Sequence, residues 1–168
     1  ELYGSKGALA LLSDEANRGV FSDEELECLD RILPWTRMVR PGPVTVQGRS
    51  VLLEDYAITD REELILKPVM LHGGSGVVPG WQTDPDDWAD QVKDAMDGEF
   101  VLQRRIHPHT ELFPSDEGLR EYLLVWGAFL GARGYSGMFL RGGPAEAQSA
   151  VVNTLTGALG SCCFHELP

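Results

Sequence analysis

Glycine and proline interrupt this chain so often that no secondary-structure element can run long. Nineteen Gly and ten Pro are spread over 168 residues, with no internal repeat and no low-complexity tract. Helix-like and strand-like stretches follow one another without the regular strand–helix–strand rhythm of a parallel sheet, so the expected class is α+β. Apolar residues make up 43% of the chain, and a chain of this size typically buries about 70% of its unfolded surface. The mass of 18.5 kDa fits one domain or a large piece of a two-lobed one.

The local signals give the elements in order. Ser5–Leu12 reads as a short helix, with Ser5 as a candidate cap. Ser22 and Glu25 form a capping-box pattern, Leu26, Leu29, Ile32 and Leu33 share the face of the helix that follows, and Pro34 ends it. Residues 40–58 read as two short strands, Val44–Val46 and Val51–Leu53, joined at Gln47-Gly48-Arg49, and Thr59–Glu63 reads as a capped turn. Then come an apolar strand (Leu64–Leu66), Lys67-Pro68, a glycine loop and a second apolar strand from Val77. Asp84–Asp97 is a helix with Pro85 at its first position, Gly98 past its end and Trp88, Val92, Ala95 and Met96 facing inward. Phe100–Ile106 is a strand. Leu119–Leu130 and Tyr135–Leu140 read as strands joined at Gly131-Ala132-Arg133-Gly134, followed by a loop at Gly142-Gly143-Pro144 and a segment Ala145–Ala150.

Charge and composition narrow the function classes. Fourteen Lys and Arg against 26 Asp and Glu give a net charge of −12, which argues against general binding to nucleic acid or anionic membranes. No stretch approaches the roughly 18 to 20 apolar residues of a membrane span. The start, Glu1-Leu2-Tyr3, has neither Met nor the features of a signal peptide, so the chain is expected to be a fragment. Cys28, Cys162 and Cys163 form a sparse, odd set that fits a reducing cytoplasm better than a disulfide framework.

The chemistry centres on His72-Gly73-Gly74-Ser75-Gly76. Glycine adopts backbone conformations closed to other residues and lets main-chain N–H groups approach an anion. Lys67, at the end of the preceding strand, adds a point positive charge near the same place. Lysine, five residues and a glycine loop between two strands make a clamp for a triphosphate. The P-loop spacing and the dinucleotide fingerprint are both absent. The plain alternative is a glycine-rich hairpin that merely turns the chain.

The order strand, Lys67, glycine loop, strand, helix and strand resembles the small lid subdomain of the ATP-grasp fold. The stretch Glu63–Ile106 (EELILKPVMLHGGSGVVPGW…EFVLQRRI) is similar in particular to the circularly permuted group related to glutathionylspermidine synthase-like ligases. SKGALALLSDE and LPWTR resemble the segment before the lid, and GMFLRGG…AVVNTLTGALGS resembles the family's arginine-bearing strand and glycine-rich tail. The resemblance implies leading helices and a hairpin at 1–58, the lid at 59–106, and larger-lobe antiparallel strands at 107–168. It implies ATP and Mg²⁺ as cofactors, and a carboxylate–amine ligase passing through an acyl phosphate. A further amino-terminal part of the same protein would complete the fold.

By the same resemblance Lys6 and Lys67 hold phosphates, and Gly73, Gly74, Ser75 and Gly76 close over them. Gln103, Arg104 and Ile106 line the adenine slot, Arg141 contacts phosphate or substrate, and Asn153 is a magnesium ligand. Lys6 reads equally as a solvated helix lysine. The chain departs from the family pattern at Arg104, where a hinge glutamate is usual, and at Val151, where many non-permuted members carry Glu. Tyr122–Leu130 carries no acid. Magnesium prefers carboxylates and phosphates, so the metal site is either completed by the absent part or degraded. The second alternative leaves a non-catalytic interaction or assembly domain on the same fold. Cys162, Cys163, His165 and Glu166 match no zinc spacing, and the two cysteines read as ordinary buried thiols. His107 and His109 read as solvated loop histidines.

Overall fold

The computed structural model describes residues 4–147, 151–152 and 157–163. The chain divides into two compact units, Glu1–Ile106 and His107–Pro168. Both are built on antiparallel sheets, and the fold is α+β.

Unit 1 contains, in order, α1 (Gly7–Ser13), α2 (Asp23–Ile32), β1 (Thr36–Met38), β2 (Pro43–Val46), β3 (Arg49–Leu52) and α3 (Leu53–Thr59). It continues with β4 (Leu64–Pro68), β5 (Val78–Pro79), α4 (Pro85–Ala95) and β6 (Phe100–Arg104). The main sheet has the order β1-β6-β4-β5, and β2 and β3 form a separate hairpin. Residues 1–58 and 59–106 are therefore parts of one unit, joined where β1 pairs with β6.

Strand alternation sorts the side chains of the central strands onto two faces. Leu64 and Leu66 of β4 and Leu102 of β6 pack with Leu53, Tyr56 and Ala57 of α3 and with Trp88, Val92 and Ala95 of α4. The expected inward face of α4 is buried, Met96 included, and Asp84 caps the helix by accepting from the Asp86 N–H. Trp88 is fully buried and its indole N–H donates to the Ala57 carbonyl at 2.9 Å. On the opposite face Ala10 of α1 packs with Val69, Val101 and Met38.

Several local expectations need revision. The capping box of Ser22 and Glu25 forms, but α2 buries no residue fully and Ile32 is exposed. At α1 the capping position is Lys6, while the Ser5 hydroxyl accepts from the Gly7 N–H at 3.2 Å. The β2–β3 turn is Gln47-Gly48, with φ of 49° and 74°. Two successive left-handed residues match the right-handed twist of the strands. Leu53 opens α3 instead of closing β3, because Leu53, Tyr56 and Ala57 recur at helical spacing and turn onto the sheet. β5 is only two residues long, and β6 stops at Arg104 rather than Ile106. Gly80 follows β5 where a Cβ would lie 2.1 Å from the Arg61 carbonyl oxygen, so only glycine permits this backbone approach.

Unit 2 is a sheet of β7 (Thr110–Ser115), β8 (Gly118–Gly131), β9 (Gly134–Pro144) and β10 (Leu159–Cys162), ordered β10-β9-β8-β7. β7 went unread in the sequence because Pro114 lies inside it, and proline is tolerated there because β7 is an edge strand. Gly142-Gly143-Pro144 is the end of β9, not a loop. A Cβ at Gly142 would come within 3.0 Å of Leu124 Cδ2, so the small residue admits a neighbouring strand's side chain. Among the described residues no helix is long and apolar enough to cross a membrane.

Trp88→Ala is expected to lower the unfolding free energy by about 3–5 kcal/mol, the usual range for emptying a large aromatic site. Chemical denaturation followed by circular dichroism measures it.

Candidate anion-binding site

β4 carries Lys67 on the face opposite the Trp88 core. The register sets Lys67 beside Val101 of β6 and Met38 of β1, with Gln103 and Thr36 in the next row on the same face. The Lys67 ammonium donates to Gln103 Oε1 at 2.6 Å. Gln103 Nε2 donates to Thr36 Oγ1 at 2.8 Å, and that hydroxyl donates to the Pro34 carbonyl at 2.9 Å. Thr36 and Gln103 are both buried. Ser13, the last residue of α1, clasps Thr36 from the other side: its hydroxyl accepts from the Thr36 N–H at 3.0 Å and donates to the Thr36 carbonyl at 2.7 Å.

Lys6 reaches the same neighbourhood from the start of α1. Its backbone N–H donates to the Val69 carbonyl at 3.0 Å, and its ammonium donates to the Leu71 carbonyl. Burial, and secondarily the positive charge of Lys6, lower the Lys67 pKa from the ordinary lysine value. Among the described residues neither lysine has a carboxylate within ion-pair distance. Each ammonium has three N–H donors, and one hydrogen bond from each is accounted for. Two partly enclosed cations with donors to spare attract an anion, since a shared negative group relieves their repulsion.

The glycine loop follows directly. Gly73, Gly74 and Gly76 have φ of 67°, 85° and 68°, and the loop is folded by hydrogen bonds from Ser75 N–H to the His72 carbonyl and from Val77 N–H to the Gly74 carbonyl. A Cβ at Gly76 would stand 2.7 Å from Pro68 Cγ, which places the loop's exit against the residue next to Lys67. Lys6, Lys67 and the glycine loop are thus brought together. Ser75 is exposed on the loop surface.

Of the residues expected to line an adenine slot, Gln103 and Arg104 are engaged in the sheet. Gln103 holds Lys67 and Thr36. The backbone N–H of Arg104 donates to the Trp35 carbonyl at 2.9 Å and that of Arg105 to the Glu63 carbonyl at 2.8 Å. Arg104 also reaches the Tyr56 hydroxyl at 3.4 Å, whereas Ile106 is exposed. The Arg105 guanidinium lies over the Trp81 ring, 4.0 Å from its centroid.

Arg141 belongs to unit 2, on β9 opposite Val125 and Gly160. It is half-buried, and its Nε is fully buried without a hydrogen-bond partner among the described residues. Asn153 lies outside the described residues, as do His165 and Glu166. Among the described residues no group of three or more His, Cys, Asp or Glu is placed to hold a metal ion. Cys163 is a half-buried free thiol, and His107 and His109 are exposed.

Sequence reasoning missed two buried polar groups. Thr36 gave no signal beyond its place in LPWTR. Arg37, also in that stretch, is 4% exposed and is held by Glu15, by carbonyls of Ser13 and Thr36 and by the face of Trp35. Comparison with protein-family models and with curated proteins gave no match.

Lys6→Met removes the like charge and is expected to raise the Lys67 pKa toward the ordinary lysine value, read from lysine side-chain resonances in a pH titration. The accompanying stability change has a definite sign. Because the folded pKa is lowered, the unfolded chain binds more protons between the folded pKa and the ordinary lysine value. Wild-type stability therefore rises with pH across that interval, and the Lys6→Met protein shows a shallower rise.

Proposed function

We propose that unit 1 binds the triphosphate of ATP through Lys6, Lys67 and the Gly73–Gly76 loop, and that the chain is the nucleotide-binding part of an ATP-dependent carboxylate–amine ligase. The observation that carries the nucleotide reading is the convergence of two lysines, neither paired with a carboxylate among the described residues, on a loop with three glycines at positive φ. With a net charge of −12 on the chain, affinity for an anion depends on local positive potential of this kind. The ligase reading comes from the resemblance to the permuted ATP-grasp group.

In that reaction the γ-phosphoryl group passes to a carboxylate oxygen, ADP leaves, and an amine attacks the acyl phosphate with release of phosphate. Such a transfer asks for positioning and charge neutralisation more than for covalent help. Lys67, fixed by Gln103, supplies a placed charge. Lys6 supplies a second, and the glycine loop offers main-chain N–H groups close to the phosphates. ATP arrives with its Mg²⁺. The proposal for unit 1 does not depend on Arg141, whose buried Nε, without a partner among the described residues, fits a phosphate or substrate carboxylate as ligand. A cytoplasmic setting accords with the sparse, odd set of cysteines.

A second reading, a non-catalytic assembly domain, is favoured by one feature of unit 2. Trp126 and Leu130 of β8 and Tyr135, which pairs with Leu130 on β9, lie on one face near the closed end of the hairpin and are 52–80% exposed. Clustered exposed apolar side chains are a usual mark of interaction surfaces.

Isothermal titration of the chain with ATP, with and without Mg²⁺, separates the two readings. Saturable binding is expected. Lys67→Ala is expected to weaken it by roughly 10- to 100-fold, from the about 1.5–3 kcal/mol typical of hydrogen bonds to charged groups. Folded wild-type protein that takes up no ATP under either condition overturns the nucleotide reading and leaves the assembly reading in place.

A further inference from the structure

The geometry points to Gln103 as the positioning residue for Lys67, locked in a single amide orientation by Thr36. The inference concerns the same site and rests on the nucleotide reading for its functional consequence.

Hydrogen-bond polarity carries it. Lys67 can only donate, so the Gln103 atom facing it must be the acceptor oxygen. That leaves the amide NH₂ toward Thr36, whose hydroxyl proton is committed to the Pro34 carbonyl and whose oxygen is left to accept. Reversing the amide would put a donor against an ammonium. The chain of donors therefore has one direction, from Lys67 through Gln103 and Thr36 to Pro34. Its far end is anchored by Ser13, which bonds both backbone groups of Thr36.

Burial makes the arrangement stiff. Gln103 is 7% exposed and Thr36 fully buried, so neither can exchange its partner for water without opening the sheet. A lysine side chain left to itself is a flexible four-carbon stem. One hydrogen bond to a rigid acceptor fixes the ammonium while leaving two of its donors for a phosphate oxygen. A neutral acceptor is also the right one: a carboxylate in its place would fix Lys67 equally well but cancel the charge that an anion needs. Lys6, at the capping position of α1, is the charged group acting on Lys67. The rest of α1 carries no titratable residue, β1 and β6 present Met38, Thr36, Val101 and Gln103, β5 presents Pro79, and the glycine loop contributes His72.

The test compares Gln103→Glu, Gln103→Leu, Thr36→Val and Thr36→Ser in the full chain, each checked for a wild-type circular dichroism spectrum. Lysine side-chain resonances report Lys67 without ligand, and calorimetry reports ATP affinity. Gln103→Glu is expected to raise the Lys67 pKa and Gln103→Leu to lower it, each weakening ATP binding by about tenfold or more. Thr36→Val is expected to broaden or shift the Lys67 resonance, and Thr36→Ser, which keeps the hydroxyl, to remain within twofold of wild type in affinity. A purely structural role does not shift one lysine's titration in opposite directions. Unchanged Lys67 titration in both Gln103 variants overturns the inference. If Gln103→Leu does not fold, the near-isosteric Gln103→Glu decides. If wild-type protein binds no ATP, the nucleotide reading fails, and the Lys67 resonances still decide whether Gln103 positions it.

Discussion

The pairing of β4 with β6 is the interaction on which unit 1 depends. Five residue pairs, from Leu64 with Arg104 to Pro68 with Phe100, fix the register of the two central strands. A slip of one residue would turn Leu64, Leu66 and Leu102 away from α3 and α4 and drive Lys67 and Gln103 into that core. Burying an ammonium without a partner is far more costly than losing one apolar contact. The register that forms the hydrophobic core is therefore the one that frees the opposite face for polar chemistry. Core and candidate site are two sides of one sheet, specified by the same alternation.

This explains why a polar row survives inside a small domain. Thr36, Gln103 and Ile65 lie directly across from one another on three strands. A buried row of this kind is stable only when each polar atom has a partner of the right polarity. Here the partners come from the Pro34 carbonyl, the Ser13 hydroxyl and Lys67 itself. α1 contributes at both ends: its start brings Lys6 to Val69 and Leu71, and its final residue holds Thr36.

Much of the fold was legible because its signals are local. Ser22 with Glu25, Asp84-Pro85 with the inward stripe of α4, and the Gly131-Ala132-Arg133-Gly134 junction between β8 and β9 each act within a few residues. The elements that escaped depend on tertiary context. α3 begins inside what reads as a strand because the sheet gives Leu53, Tyr56 and Ala57 a surface to cover. β7 contains Pro114, which only an edge position accommodates. At the site, Lys67 and its loop were visible as residue types at a spacing. The role of Gln103 was not, since its partner Thr36 is 67 residues away in sequence. One sequence carries no trace of a hydrogen bond formed by long-range strand pairing.

Gly80 bears on how the glycine loop can move. The Arg61 guanidinium donates to the carbonyls of Gly80 and Thr83, and the Gly80 backbone lies too close to Arg61 for any side chain. At the other end, Val69 is tied to Glu99 and to Lys6 through its own N–H and carbonyl. The segment between is thus a span clamped at both abutments, with its freedom confined to Met70–Val77. Both feet of the loop are fixed to the same sheet that carries Lys67.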